Sequence, residues 1–314
     1  MLRSTILAAA RNRRVEQLVT HAPVSRSVVR RFVGGPDTDA AVVAAARLIE
    51  EGLTVTLDHL GEDTTERRQA NAVAAAYVEV LRALEAAHLT ERLGLLTARA
   101  EVSVKLSAVG QALGGDGEKI ALEHARTICA EARRVGATVT LDMEDHTTTD
   151  STLEILRQLR VDFPETAGVL QAYLHRSEGD CRELAYAGSR IRLCKGAYRE
   201  PASVAFQSKR DVDLSYIRCM NALLAGDGYP MFATHDPTLV AIALDRLLER
   251  GTTGYEFQML YGIRPDEQRR LVAAGHLVRV YVPYGAQWYG YLMRRLAERP
   301  ANLAFFGRAL FSKG

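Results

Sequence analysis

The feature that most constrains this chain is an alternation. Eight short runs rich in β-branched residues are each followed by a longer run of helical periodicity. The short runs are "LTVTLD" (53–58), "AEVSVKL" (100–106), "TVTLDMED" (138–145), "GVLQAYL" (168–174), "RIRLCKG" (190–196), "MFATH" (231–235), "YEFQML" (255–260) and "LVRVYVP" (277–283). The spacing predicts helices over 64–88, with Thr64 or Thr65 as N-cap, and over 117–136. Another follows residue 147, and the rest begin near Glu178, Lys209, Pro237, Pro265 and Gln287. A strand followed by a crossover helix implies parallel pairing. Eight such units in 314 residues predict an α/β fold, a closed (β/α)8 barrel over 53–314. Residues 1–52 form an N-terminal helical extension in this reading. An open doubly wound sheet fits less well, because no strand leads into a GxGxxG turn. "GQALGGDGEK" has the wrong glycine spacing and reads as a mobile loop.

Charge and cysteine content remove several function classes. The formal net charge is +2 with acids and bases intermixed, so nucleic acid is not an expected partner. Four separated cysteines form no CxxC pair, which argues against a metal cage or disulfide framework and fits a reducing cytoplasm. No apolar run reaches the ~18 residues of a membrane span. The opening "MLRSTILAAARNRRVEQLV" has two readings, an Arg-rich transit peptide or an amphipathic helix. Its periodicity continues without a cleavage-like break and favours the helix.

Reactive groups of such a barrel sit at the carboxyl ends of its strands. There the sequence carries Lys105; Asp142, Glu144 and Asp145; Gln171 and Tyr173; Arg192, Lys195 and Tyr198; Thr234, His235 and Asp236; Glu256 and Gln258; and Tyr281. Inward barrel residues are usually apolar, so the collection reads as a site rather than a core. Lys105 follows "VSV" and points inward by alternation, as a Schiff-base nucleophile, a cation for a substrate anion, or an ion-pair partner of Asp142. Asp142 ends an apolar run and needs Lys105 or an arginine beside it. Glu144 and Asp145 read as exposed or capping residues, and His146, His175 and His276 as surface or capping ones. Arg190, Arg192 and Cys194 share one strand face, and the Lys195–Gly196–Ala197 turn suggests a backbone cradle for phosphate. His235 has no second His or Cys spaced for a metal, which leaves a donor to a cofactor or a histidine satisfied by backbone. Tyr291, Arg294, Arg295 and Glu298, spaced i, i+3, i+4, i+7, share one helical face. That face is either a bidentate clamp for a carboxylate or phosphate or a solvated basic surface.

Taken together, "VSVKLS", "TLDMED", "LQAYLHR", "RLCKGAY", "ATHD", "YEFQMLYGIR" and "YLMRRLAERPAN" resemble the proline dehydrogenase family in order and spacing, from about residue 50 to the C-terminus. The length resembles the monofunctional bacterial form. The resemblance implies a (β/α)8 barrel, non-covalent FAD, and oxidation of L-proline to Δ1-pyrroline-5-carboxylate by hydride transfer from C5 to flavin N5. Electrons would pass to a membrane quinone, with the protein in the cytoplasm and in peripheral contact with the inner face of the membrane. It implies that Lys105, Arg294 and Arg295 bind the substrate carboxylate while Asp142 and Glu298 balance their charge. Tyr281, Tyr291, Leu260, Tyr198 and Ala197 would wall the ring, with Tyr281 favouring proline over hydroxyproline. Asp142 and Arg192 would be catalytic, Arg192 near N5. Met143, Gln171, Arg192, Lys195, Gly196, Ala197, Thr234, His235 and Glu298 would meet the cofactor. The family often has Trp after "KGAY", where this chain has Arg199. Outside the resemblance, the strand-end polar groups also suit a Schiff-base aldolase using Lys105 or Lys195, or a flavin-free module that binds a small acid.

Overall fold

In a computed structural model, the chain is described over residues 31–62, 64–289 and 291. The expected order of elements is present. Helix α1 (Thr38–Glu50) precedes strand β1 (Thr54–His59). There follow α2 (Arg67–Ala86), β2 (Ala100–Val104), α3 (Gly117–Val135), β3 (Thr138–Leu141), α4 (Thr149–Asp162), β4 (Gly168–Gln171) and α5 (Ser177–Glu183). The second half holds β5 (Arg190–Cys194), α6 (Lys209–Leu224), β6 (Tyr229–Ala233), α7 (Pro237–Arg250), β7 (Glu256–Leu260), α8 (Pro265–Ala273) and β8 (Val278–Tyr284). All strand pairs are parallel, in the order β3-β2-β1-β8-β7-β6-β5-β4. Because the first strand pairs with the last and β3 bridges to the start of β4 at Thr140 and Ala167, the sheet closes on itself and the open doubly wound alternative is excluded. The remaining seam, β3 to β4, closes through Ala167, whose N–H donates to Val139 O (2.9 Å) and whose carbonyl accepts from Leu141 N (2.8 Å). Residues 1–30, on which the transit-peptide and amphipathic-helix readings fall, lie outside the described residues.

Local chemistry sets the element ends. Asp37 caps α1 by accepting from Ala40 N, and Asp236 caps α7 ahead of Pro237. The expected Thr64 or Thr65 cap of α2 is not formed. Glu66 occupies the cap position without a side-chain bond, because Thr64 Oγ1 reaches across to Ser107 O (3.0 Å). The glycine-rich stretch after β2 opens inside a buried π-helical turn, Ser107–Gln111. Gly110 has φ +131° there, and a Cβ on it would come within 2.7 Å of Ile120, so a side chain is excluded at this point.

The hydrophobic core is the layer between barrel and helices. Outward residues such as Val55, Leu57, Val102, Val104, Val280 and Val282 are buried with Tyr77, Leu81, Ile128 and Ala125 of α2 and α3. The inside of the barrel is different. Glu101 accepts from Arg190 Nη2 (2.6 Å), Thr56 Oγ1 (2.9 Å), Thr138 Oγ1 (3.1 Å) and, at 3.4 Å, Arg192 Nη2. Arg279 holds Glu256 through Nε (2.7 Å) and Nη2 (3.1 Å), and donates to Val55 O, Ala98 O and Thr97 Oγ1. The expectation that inward polar residues mark only a site at the strand ends is therefore corrected. Polar side chains line the interior to its floor, and Glu256 stands at the start of β7, not at its end.

Burial opposes the charge on Glu101, yet Arg190, Arg279 and Arg192 outweigh it and hold its carboxyl well below the usual range. Its contribution to stability is complete above the unfolded-state pKa and is lost only as pH falls through the depressed folded value. Removing one partner of such a network leaves a buried charge uncompensated, at a cost of about 3–5 kcal/mol. Glu101→Gln should therefore lower the Tm by on the order of 10 °C at neutral pH, read by scanning calorimetry at one fixed rate. A Tm within about 2 °C of the parent would show that the arginines need no carboxylate there.

Candidate active site

Side chains from the end of β1, from just past β2 and β3, and from the middle of β5 and β8 converge on one cluster. Strand alternation turns Asp58, Lys105, Asp142, Arg192 and Tyr281 to the same interior. Asp142 Oδ1 accepts from Ser103 Oγ (2.7 Å) and Arg192 Nη1 (2.7 Å), and its Oδ2 accepts from Tyr281 OH (2.7 Å). Lys105 Nζ lies 3.6 Å from Asp142 Oδ2. The expected pairing of Asp142 with Lys105 or an arginine thus involves both, the arginine being closer. Arg192 is locked further by Gln258 Oε1 (2.5 Å) and Ser103 Oγ (3.0 Å), with its guanidinium 5.4 Å from the Tyr281 ring centroid.

The nearest partner of Lys105 was not singled out from sequence. It is Asp58, which receives Nζ at 2.7 Å (Oδ1) and 2.8 Å (Oδ2). A signal existed: Thr-Val-Thr-Leu-Asp occurs at both 54–58 and 138–142, on the two strands flanking β2. Burial alone would depress the Lys105 ammonium, but Asp58 and then Asp142 carry it above the ordinary lysine range. Burial likewise disfavours the Asp142 carboxylate, and Lys105 with Arg192 overrides it, so this acid is held below its usual value. Burial, with Asp142 beside it, pushes the Tyr281 phenol well above the usual range, so Tyr281 is a neutral donor.

The other predicted residues fall around this cluster. Lys195 follows β5 and is half-buried, its Nζ bonded to Asp213 Oδ1 (2.5 Å) and Asp236 Oδ2 (2.9 Å). Gly196 has φ +115°, and a Cβ there would come within 2.3–2.6 Å of the Tyr173 ring, so the Lys-Gly-Ala turn lies flat on that aromatic. Gln171 is buried and donates to Glu144 O (2.7 Å). Met143 is buried beside it, after β3. Thr234 Oγ1 accepts from Asp236 N (3.1 Å). His235 Nε2 accepts from Leu260 N (2.9 Å), which makes the neutral ring an Nδ1–H donor. Leu260 and Tyr198 are half-buried, Ala197 is exposed and Tyr291 is buried. Arg294, Arg295 and Glu298 lie outside the described residues.

Two expectations need correction. Glu144 is buried, not exposed or capping; it accepts from Ser107 N (3.0 Å) and Ser107 Oγ (2.6 Å), tying the turn after β3 to the one after β2. His146 is more than a surface residue, since its N–H (2.9 Å) and Nδ1 both meet the buried Glu200. Asp145 does cap, accepting from Thr147 N (2.9 Å).

The comparisons with known proteins agree with this geometry. The family described as "Proline dehydrogenase" matches residues 41–308. "Proline dehydrogenase 1" of Bacillus subtilis (strain 168) is 38% identical over 315 residues, covering 100% of both chains. "Proline dehydrogenase" of Deinococcus radiodurans is 41% identical over 309 residues, covering 97% of this chain and 96% of that one. A crystal structure of proline utilization A from Bdellovibrio bacteriovorus, inactivated by N-propargylglycine, superposes with a TM-score of 0.80 at 25% identity, over 92% of this chain and 34% of that one. With a barrel of this topology, a buried cluster of paired charges at its mouth and kinship along its full length, this chain belongs to the proline dehydrogenase family, generally flavin-dependent oxidoreductases that carry out the first step of proline catabolism.

Proposed function

We propose that this chain binds FAD non-covalently at the carboxyl ends of β4 to β7 and oxidises L-proline to Δ1-pyrroline-5-carboxylate above the Lys105–Asp142–Arg192–Tyr281 cluster. The observation that carries the reading is that cluster, where two cations and a neutral phenol, from β2, β5 and β8, meet on the one carboxylate that follows β3. The residues at the mouth fit a dinucleotide. Gly196 keeps the Lys-Gly-Ala turn free of a Cβ and flat on Tyr173. Lys195 gives two of its three ammonium hydrogens to Asp213 and Asp236, leaving one to point at a phosphate. Gln171, Met143, Thr234 and His235 line the adjoining strand ends, with Ala197 at the turn and Glu298 in the segment after β8. When bound, FAD supplies the acceptor for the hydride leaving C5 of the substrate ring.

The chain's own groups bind and orient. Lys105, with Arg294 and Arg295, holds the substrate carboxylate and fixes the ring in a near-attack position. Arg192 presents positive charge that cannot swing away, because Gln258 holds its Nε, Ser103 and Asp142 share its Nη1, and Glu101 meets its Nη2. Asp142, already accepting three hydrogen bonds, orients these donors. Tyr281, Tyr291, Leu260, Tyr198 and Ala197 wall the ring. A Schiff base needs a neutral amine, and Lys105 is held as an ammonium ion, which weighs against an aldolase. Electrons then pass to a membrane quinone, with the protein in the cytoplasm and in peripheral contact with the inner face of the membrane. No helix among the described residues is long and apolar enough to cross a membrane.

The purified protein should be yellow, and anaerobic L-proline should bleach its visible flavin absorption. A yellow protein that proline leaves oxidised sinks the substrate assignment, and a colourless one sinks the cofactor. Lys105→Met should raise KM for L-proline by roughly 10- to 150-fold, the worth of a hydrogen bond to a charged group, while flavin content stays near one per chain. Steady-state kinetics with an artificial acceptor measure this, and an unchanged KM removes Lys105 from the carboxylate site.

A further inference from the structure

We infer that Asp58 is a positioning residue that pins Lys105 to the barrel wall and keeps it charged, leaving Asp142 to Arg192 and Tyr281. The inference deepens the proposed function and rests on its placement of Lys105 beside the substrate's acid group. Its structural basis is the repeated pentapeptide. Strands β1 and β3 both border β2, and each ends the same way, so an aspartate arrives on either side of Lys105. The two then take different duties. Both oxygens of Asp142 are committed elsewhere, to Ser103 and Arg192 on one side and to Tyr281 on the other. Both oxygens of Asp58 are on Lys105, at 2.7 and 2.8 Å, against 3.6 Å from Asp142. Asp58 is 1% exposed and Lys105 is 8% exposed, so water cannot substitute for the missing counterion.

The charged and titratable groups facing Lys105 are Asp58 and His59 from β1, Glu62 beyond it, Asp142 and Glu144 from β3 and its following turn, and Tyr281 from β8. Among its attractions, that of Asp58 is the largest. Without it, desolvation meets less opposition and the ammonium loses its proton more readily. The direction is fixed: a raised lysine is charged at low pH and discharged as pH rises, so lowering its pKa brings the loss to lower pH. Lys105 would also close the gap to Asp142 and draw it from Arg192.

The test compares the parent, Asp58→Asn, Asp58→Glu, Lys105→Met and the Asp58→Asn/Lys105→Met double variant, measuring kcat and KM for L-proline from about pH 6 to about pH 10. Asp58→Asn should raise KM more than it lowers kcat. On the alkaline side KM should climb by about tenfold per pH unit, a limb absent from the parent. Asp58→Glu keeps the charge and should lack that limb, which keeps the proposal testable if the asparagine variant does not fold. In the Lys105→Met background, Asp58→Asn should change KM by less than about twofold, because its partner is gone. A parallel pH profile in Asp58→Asn, an alkaline limb in Asp58→Glu, or an undiminished effect in the double variant would each overturn the assignment. If the parent itself fails to oxidise L-proline, the proposed function falls. The Asp58 assignment is then read from the Lys105 side-chain resonance in lysine-labelled protein, identified by its absence in Lys105→Met. Its titration midpoint should drop in Asp58→Asn, and an unmoved midpoint would overturn it.

Discussion

The Glu101 carboxylate is the interaction on which the rest of this barrel depends. It rises from β2 into the interior, is wholly buried, and reaches across to Arg190 and Arg192 on β5. A buried ion pair contributes little net stability, since desolvation consumes most of the Coulombic gain. The stabilising burial lies outside the barrel, where valines and leucines of the strands meet α2 and α3. What the interior network provides is position. With Glu101 and Gln258 fixing Arg192 from below, that guanidinium meets Asp142 and Ser103 in one orientation only.

From floor to mouth the cations change in kind as well as in exposure. The floor uses arginine: Arg279 with Glu256 and Arg190 with Glu101, every side chain at 0% exposure. Midway, Arg192, Asp142 and Lys105 are slightly exposed, and Lys195, nearer the rim, is more so. The order follows solvation. A guanidinium is weakly hydrated and spreads its donors over several acceptors, so it tolerates the dry floor, while a compact ammonium costs more to dehydrate. The lysines are accordingly placed where a ligand can share them with their carboxylates.

Strand and helix positions were legible because short β-branched runs alternate with longer periodic ones; α6, α7 and α8 begin at Lys209, Pro237 and Pro265, as the pattern predicts, while β3 and β4 stop short of the runs that announce them. Lys105, Asp142, Arg192 and Tyr281 were legible as inward polar groups, although Arg192 and Tyr281 stand in mid-strand and not at a strand end. Asp58 and Glu101 were not legible, though Glu101 sits on the same alternating track as Lys105 and Asp58 ends the same pentapeptide as Asp142. The rule that reactive groups occupy carboxyl ends says nothing about the rest of the interior, and it misplaced Glu256. Only strand register reveals that Glu101 and Arg190 oppose each other across the barrel, and register is a tertiary fact. Glu144 was misread for a similar reason: its partner, Ser107, lies 37 residues away on a neighbouring turn.

The seam between β3 and β4 shows how the site and the barrel sustain each other. Those two strands meet through Ala167 alone among the described residues, where other neighbours share longer ladders. Side chains at the mouth supply the missing bonds. Gln171 at the end of β4 donates to Glu144 O after β3, and Glu200 takes both His146 from the β3 side and Tyr173 (3.2 Å) from the β4 side. Tyr173 in turn carries the Gly196 turn on its ring. The weakest backbone closure is thus sewn by Gln171 at the end of β4 and by the loops that bear Asp142, Met143 and Lys195. A barrel opened at that seam would separate Asp142, after β3, from Gln171 and Lys195 on the far side of it, so the side chains that close the barrel also hold the two halves of the mouth in register.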